Sequence, residues 1–178
     1  MSDGRELGRV HVITGPGKGK TTSAFGQAMR AAGHGFKVCI VQFMKTGDVT
    51  GEAVTASRLK GIEVVQFGTG RFVERGSDPT DEDREVARAG LEFAKGKLQS
   101  DECALVVLDE INVVASLGLV DAEEVLDILR SRREQIEVVL TGRNAPKEFV
   151  DFADYVSFIE AVKHPFNGGV RARKGIEW

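Results

Sequence analysis

An α/β fold with a mostly parallel sheet of about six strands, covered by helices on both faces, is predicted by three features of this 178-residue chain. Short β-rich runs alternate with longer helical patterns from end to end. The runs are close to continuously apolar, as strands covered on both faces must be. Glycine is abundant, at 21 residues against 4 prolines, which suits many tight strand-to-helix turns. The alternation has no linker and no internal repeat, so one domain over residues 1–178 is expected, with residues 1–8 as a polar lead.

Each element has its own signal. Val10-His11-Val12-Ile13 reads as the first strand, followed by a glycine loop and a helix from about Lys20 to Ala32. Gly33-His34-Gly35 ends that helix, because glycine takes positive φ at little cost. Lys37 to Phe43 is the second strand, Glu52 to Leu59 a short helix and Ile62 to Phe67 the third strand. Thr80 with Asp83 three residues on is a capping pattern, and Ala87, Leu91, Ala94 and Leu98 mark the buried face of the helix it opens. Ala104 to Leu108 is the fourth strand. Asp121 with Glu124 caps the next helix, Ile136 to Leu140 is the fifth strand, Pro146 to about Ala153 a short helix, and Tyr155 to Val162 the sixth strand.

Composition narrows the function classes. Apolar content of 42% and charged content of 29% fit a soluble globular protein. A net charge of -3 lacks the broad basic field of a nucleic-acid binder. The N-terminus has no apolar signal core, and no apolar run approaches the roughly 20 residues that span a bilayer, so neither a membrane nor a nucleic acid is expected as partner and a cytoplasmic location is. Cys39 and Cys103 lie far apart within apolar segments and fit no metal spacing, which points to buried free thiols in a reducing compartment.

The run Gly15-Pro16-Gly17-Lys18-Gly19-Lys20-Thr21-Thr22 follows a strand and opens a helix, the context a phosphate loop requires. Backbone N–H groups would curl around an anion while the helix N-terminus adds partial positive charge. Gly15, Gly17 and Gly19 allow the close approach, Lys20 reaches the phosphates, and the Thr21 hydroxyl is placed to ligate Mg²⁺. Lys18 adds a charge that the general pattern does not demand. The pattern G-x-x-x-x-G-K-[ST] departs at its first position, where Thr14 stands. A glycine-rich turn with chance lysines is the bland alternative, and the intact Gly-Lys-Thr-Thr between strand and helix argues against it. A dinucleotide site is excluded by the G-x-G-x-G spacing and by a second strand that ends Gln42-Phe43-Met44-Lys45, with no acid for a ribose hydroxyl. The fold is therefore expected to be a three-layer P-loop NTPase-like, RecA-like one.

Other candidates fall at strand ends, where such sheets bind ligands. Asp109-Glu110 follows four apolar residues and offers carboxylates to a nucleotide-bound metal; which of the two takes it is left open. Thr141-Gly142-Arg143 presents Arg143 to phosphate or ribose, with a surface arginine as the alternative. Gly68-Thr69-Gly70-Arg71-Phe72-Val73 is a glycine-rich loop after the third strand. His11 reads as structural and His34 as solvated. His164 has no partner at ligand spacing, and no catalytic histidine constellation is visible.

Taken in order, Thr14-Gly-Pro-Gly-Lys-Gly-Lys-Thr-Thr22, Val41-Gln42-Phe43-Met44-Lys45, Leu108-Asp109-Glu110-Ile111-Asn112, Leu140-Thr141-Gly142-Arg143, Val162-Lys163-His164-Pro165-Phe166 and Gly175-Ile176-Glu177-Trp178 resemble the P-loop-type ATP:corrinoid (cob(I)alamin) adenosyltransferases across nearly the whole chain. The resemblance implies transfer of the 5′-deoxyadenosyl group of ATP to the cobalt of a reduced corrinoid, cob(I)alamin or cob(I)yrinic acid a,c-diamide, with release of triphosphate. It implies that ATP lies reversed in the loop, that Mg²⁺ (or Mn²⁺) is held through Thr21, Asp109 and Glu110, and that Lys20, Thr21 and Glu110 are catalytic. Gly15, Gly17, Lys18, Gly19, Lys20, Thr21, Thr22 and Arg143 would bind nucleotide, and Phe72, Val73 and Asn112 corrinoid. A homodimer and a flavoprotein reductant are the implied partners. Many members carry Gly-Phe-Thr-Trp after the third strand, where this chain has Gly70-Arg71-Phe72-Val73 and lacks the Trp. A small-molecule kinase or ATPase, and a non-catalytic corrinoid carrier, are the rival readings.

Overall fold

The computed structural model describes residues 7–47, 50–70, 78–165 and 169–176. The apolar runs form β1 (Val10–Thr14), β2 (Val38–Phe43), β3 (Ile62–Phe67), β4 (Leu105–Asp109), β5 (Glu137–Thr141) and β6 (Tyr155–Phe158). They pair in the order β3-β2-β4-β5-β1-β6, and every neighbouring pair is parallel. Between β1 and β2 the chain passes over the places that β5 and β4 later fill. All strand C-termini therefore lie along one edge, with the tip of β5 between those of β1 and β4.

Side-chain alternation sorts the core into two faces. Val10 and Val12 of β1, Cys39, Val41 and Phe43 of β2, Val106 and Leu108 of β4, and Val138 and Leu140 of β5 join one apolar cluster. It is roofed by α3 (Asp81–Gln99), α4 (Ile111–Ser116), α5 (Ala122–Arg130) and α6 (Lys147–Phe152). The alternate residues Ile13, Val38, Ile40, Leu105, Val107 and Val139 pack on Ala24, Phe25 and Ala28 of α1 (Lys20–Gly33) and on Ala56 of α2 (Gly51–Ala56). This is the predicted three-layer α/β arrangement.

The expected boundaries hold within a few residues, and the differences have local causes. Thr80 and Asp83 form a reciprocal capping box at α3. Asp121 caps α5 by accepting from the Glu123 N–H, one residue short of the expected partner Glu124. The sixth strand stops at Phe158 and not at Val162, because Ile159 turns against the glycine loop: its N–H donates to Thr14 O at 2.8 Å and its carbonyl accepts from Gly17 N at 2.8 Å. Helix α4 was not expected; its N-cap Glu110 has φ 67° and makes no side-chain cap bond, so the sequence carries no start signal. Cys39 is buried and Cys103 half-buried. The fold brings the two together, and their mutual interaction raises the pKa of Cys39 and lowers that of Cys103. Among the described residues no helix is long and apolar enough to cross a membrane.

Gly90 seats α3 on the sheet. A Cβ there would lie 2.8 Å from Phe43 Cε1 and 3.0 Å from Phe67 Cβ. Helix propensity favours alanine over glycine by about 1 kcal/mol, whereas forcing a methyl into a closed contact costs about 1–3 kcal/mol. Gly90→Ala is therefore expected to lower stability in chemical denaturation, against the propensity trend.

Candidate active site

The face that packs on α1 ends in a polar row. Gln66, Gln42, Asp109 and Thr141 are in phase with the apolar residues Val64, Ile40, Val107 and Val139 two positions before each. Register sets Gln42 beside both Gln66 and Asp109. Gln66 Nε2 donates to Gln42 Oε1 at 3.0 Å, and Gln42 Nε2 donates to Asp109 Oδ2 at 2.9 Å. Thr141 Oγ1 donates to Asp109 Oδ1 at 2.7 Å, and Thr21 Oγ1, from the first turn of α1, donates to the same oxygen at 2.8 Å. Lys45 Nζ completes the set at 2.9 Å from Asp109 Oδ2.

Asp109 is fully buried. Enclosing a lone carboxylate costs several kcal/mol, but four donors to a charged group contribute about 1.5–3 kcal/mol each. Burial pushes its pKa up; the Lys45 charge and the hydrogen bonds from Lys45, Thr141 and Gln42 outweigh it and hold the pKa below the usual range. Burial likewise pulls Lys45 down, and Asp109 more than restores it. Glu110 goes the other way: burial and the neighbouring Asp109 charge raise its pKa.

The phosphate loop closes on its own lysine. Lys20 is buried, and its Nζ donates to Gly15 O at 2.9 Å and Gly17 O at 2.7 Å. Burial, then the nearby Arg143 charge, lowers its pKa against the pull of Glu110 and Asp109. Arg143 itself is exposed, as are Lys18 and Thr22. Glycine is needed at Gly15 and Gly17 because a Cβ would fall 2.4 Å and 2.8 Å from Ile159 O, and at Gly19 because φ is 117°. The N–H of Gly17 donates to Ile159 O at 2.8 Å, so this one loop N–H is already engaged. Thr14 needs no glycine: it is still in β1, paired with Phe158, and its Oγ1 accepts from Ala145 N at 3.2 Å, anchoring the turn that carries Arg143.

A carboxylate has about four acceptor sites, and those of Asp109 are matched by Thr21, Thr141, Gln42 and Lys45. Direct metal ligation by Asp109 would require one donor to give way. Thr21 donates its proton to Asp109 and keeps its lone pairs for a cation. Among the described residues, no group of three or more His, Cys, Asp or Glu could hold a metal. The donor set thus suits a cation carried in on a triphosphate and met by Thr21, as hard cations bound to phosphates commonly are.

The remaining candidates separate. Asn112 is fully buried, with Nδ2 donating to Gly142 O at 3.2 Å and Ile13 O at 3.4 Å. It ties the tips of β1 and β5 together, while its buried Oδ1 is left without a hydrogen-bond partner among the described residues. Phe72 and Val73 lie outside the described residues. His11 bonds Glu137 at 2.6 Å and stacks on Tyr155, a structural role. Gln42, Gln66 and the Thr141 hydroxyl were given no role from sequence, although each ends an in-phase apolar row; Lys45, beyond the end of β2, carries no such signal.

A strand, a lysine-bearing glycine loop, a helix and an acidic strand tip bonded to the loop threonine define an α/β protein of the phosphate-loop class. The chain belongs to the family described as ATP:corrinoid adenosyltransferase BtuR/CobO/CobP, which matches residues 6–178. It is similar to the corrinoid adenosyltransferase of Sinorhizobium sp, with 36% identity over 175 residues, covering 97% of this chain and 81% of that protein. Similarity is comparable to the corrinoid adenosyltransferase of Escherichia coli K12 and to corrinoid adenosyltransferase CobA of Salmonella typhimurium, each 37% identical over 173 residues, 97% of this chain and 87% of theirs. The RadB recombinase crystal structure is a looser likeness, 22% identical with a TM-score of 0.45 over 77% of this chain and 62% of that one, too loose to bear on function. Membership of the family makes the protein a transferase.

The pKa of Glu110 generates a stability prediction. Because it is raised in the folded state, ionising Glu110 opposes folding; that penalty is absent below the unfolded carboxyl pKa and complete above the folded one. Glu110→Gln is expected to raise the melting temperature at pH 8 and to leave it near wild type at pH 4, measured by calorimetry at both values.

Proposed function

We propose that the protein transfers the 5′-deoxyadenosyl group of ATP to the cobalt of a reduced corrinoid. The observation that carries the reading is the Thr21–Asp109 bond beside the buried Lys20, in a chain of the corrinoid adenosyltransferase family. The cob(I) electron pair attacks C5′ of the ribose and forms the Co–C bond, the C5′–O bond breaks, and its pair leaves with triphosphate. No proton moves, so no general base is required; His11, bonded to Glu137 at the start of its strand, has no part in the reaction.

The chain's work is to bind and neutralise the leaving group. Lys20 exchanges the carbonyls of Gly15 and Gly17 for phosphate oxygens, and Lys18, Thr22 and Arg143 bring exposed donors to the loop mouth. Thr21 would hold Mg²⁺ (or Mn²⁺), oriented by Asp109, with Glu110 as the second carboxylate. Bound there, the metal supplies charge neutralisation to the departing triphosphate. On the family resemblance, ATP would lie reversed, with the whole triphosphate in the loop. Asn112 acts by fixing the tips of β1 and β5, and Phe72 and Val73 are assigned to the corrinoid side on the resemblance alone. Either cobalamin or cob(I)yrinic acid a,c-diamide is the acceptor. Electrons come from a flavoprotein reductant in a cytoplasmic setting. Self-association as a homodimer is supported by edge strand β6, where Tyr155, Val156 and Phe158 are exposed.

The test supplies Mg–ATP with each chemically reduced corrinoid. A light-sensitive Co–C product and stoichiometric triphosphate are expected, and Lys20→Ala should reduce the rate by about 10²-fold or more. ADP or orthophosphate without a Co–C product would refute the assignment.

A further inference from the structure

Three features converge on Lys45, which the reaction above does not use. Directly before it, Met44 takes φ 60°, a left-handed conformation uncommon for a non-glycine residue. Directly across, Gly68 leaves room for the bend: a Cβ there would lie 2.5 Å from Lys45 N and 2.6 Å from Met44 C. Met44 N also donates to Phe67 O at 2.7 Å, so the turn is fixed to the end of β3. Together they turn the chain after β2, so that the Lys45 ammonium meets Asp109 at 2.9 Å and Glu52 at 3.9 Å, with its side chain 24% exposed. A left-handed non-glycine residue is strained and persists only where its surroundings over-determine it.

We infer that Lys45 is a positioning residue for the nucleotide: held by the Met44 bend and Gly68, it fixes Asp109 as the acceptor that orients the Thr21 hydroxyl. The chain of contacts is continuous. Lys45 and Gln42 hold Oδ2, which fixes the carboxylate plane, and Oδ1 then accepts from Thr21 and Thr141. Without Lys45 the buried carboxylate loses its ion-pair partner and the means of keeping its orientation. The inference rests on the Mg–ATP reading above and adds to it a residue, and a backbone device, on which nucleotide affinity depends.

The experiment is calorimetric titration of Mg–ATP, without corrinoid, into wild type, Lys45→Met, Lys45→Arg and Gly68→Ala, each checked for wild-type circular dichroism. Lys45→Met is expected to raise Kd about tenfold, the loss of one charged hydrogen bond. Gly68→Ala should do the same with the lysine intact, because its methyl displaces the Lys45 backbone. Lys45→Arg keeps the charge and should stay within about threefold of wild type. Wild-type affinity in Lys45→Met overturns the inference, as does an equal loss in the methionine and arginine variants. Mg–ATP failing to bind wild type overturns both this inference and the proposed function, whereas failed adenosyl transfer with intact, Lys45-dependent binding overturns the function alone.

Discussion

The ionised carboxylate of Asp109, enclosed by four donors, is the contact on which the arrangement of the site depends. Its partners come from the first turn of α1, the tips of β2 and β5, and the bend after β2. Apart from the β2 tip and the bend that continues it, these segments lie far apart in sequence. A buried charge without donors costs more than a small domain can spare, so the strand tips and the glycine loop must take up one relative position for Asp109 to be tolerated. The same requirement places Thr21, the residue suited to meet a cation on a triphosphate, against β4.

Around that anchor the site divides into a fixed part and a part able to exchange partners. Asp109, Thr141, Gln42 and Asn112 are fully buried and bonded to protein groups. Among the described residues, Lys20 is bonded to the loop carbonyls of Gly15 and Gly17, which an incoming anion can replace. Glu110 takes a left-handed cap position, and burial and the Asp109 charge raise its pKa. The departure at Thr14 has a structural reason: the chain there is still strand, the turn starts one residue later at Gly15, and the threonine side chain holds the Arg143 turn.

Much of this was legible in the sequence because it depends on local pattern. Continuous apolar runs identified the strands, Thr80 and Asp121 marked helix starts, and Gly19-Lys20-Thr21 after a strand marked the loop. What was not legible depends on which strands are neighbours. Gln42 reads as an unremarkable polar residue until register puts it between Gln66 and Asp109. Lys45 has no meaning until β2 lies beside β4. Helix α4 was missed because its start rests on the positive φ of Glu110 rather than on a capping side chain, and the nearness of Cys39 to Cys103 arises only from tertiary packing.

The central claim is that one carboxylate couples residues on separate strands. It is tested most directly by a double-mutant cycle between Thr141→Val and Lys45→Met, read as unfolding free energy in denaturant without ligand. The two side chains bond opposite oxygens of Asp109. The account predicts a coupling energy of about 1 kcal/mol or more, since removing either partner disturbs the anchor of the other. Effects that add to within about 0.3 kcal/mol would contradict it, because independent sites behave that way.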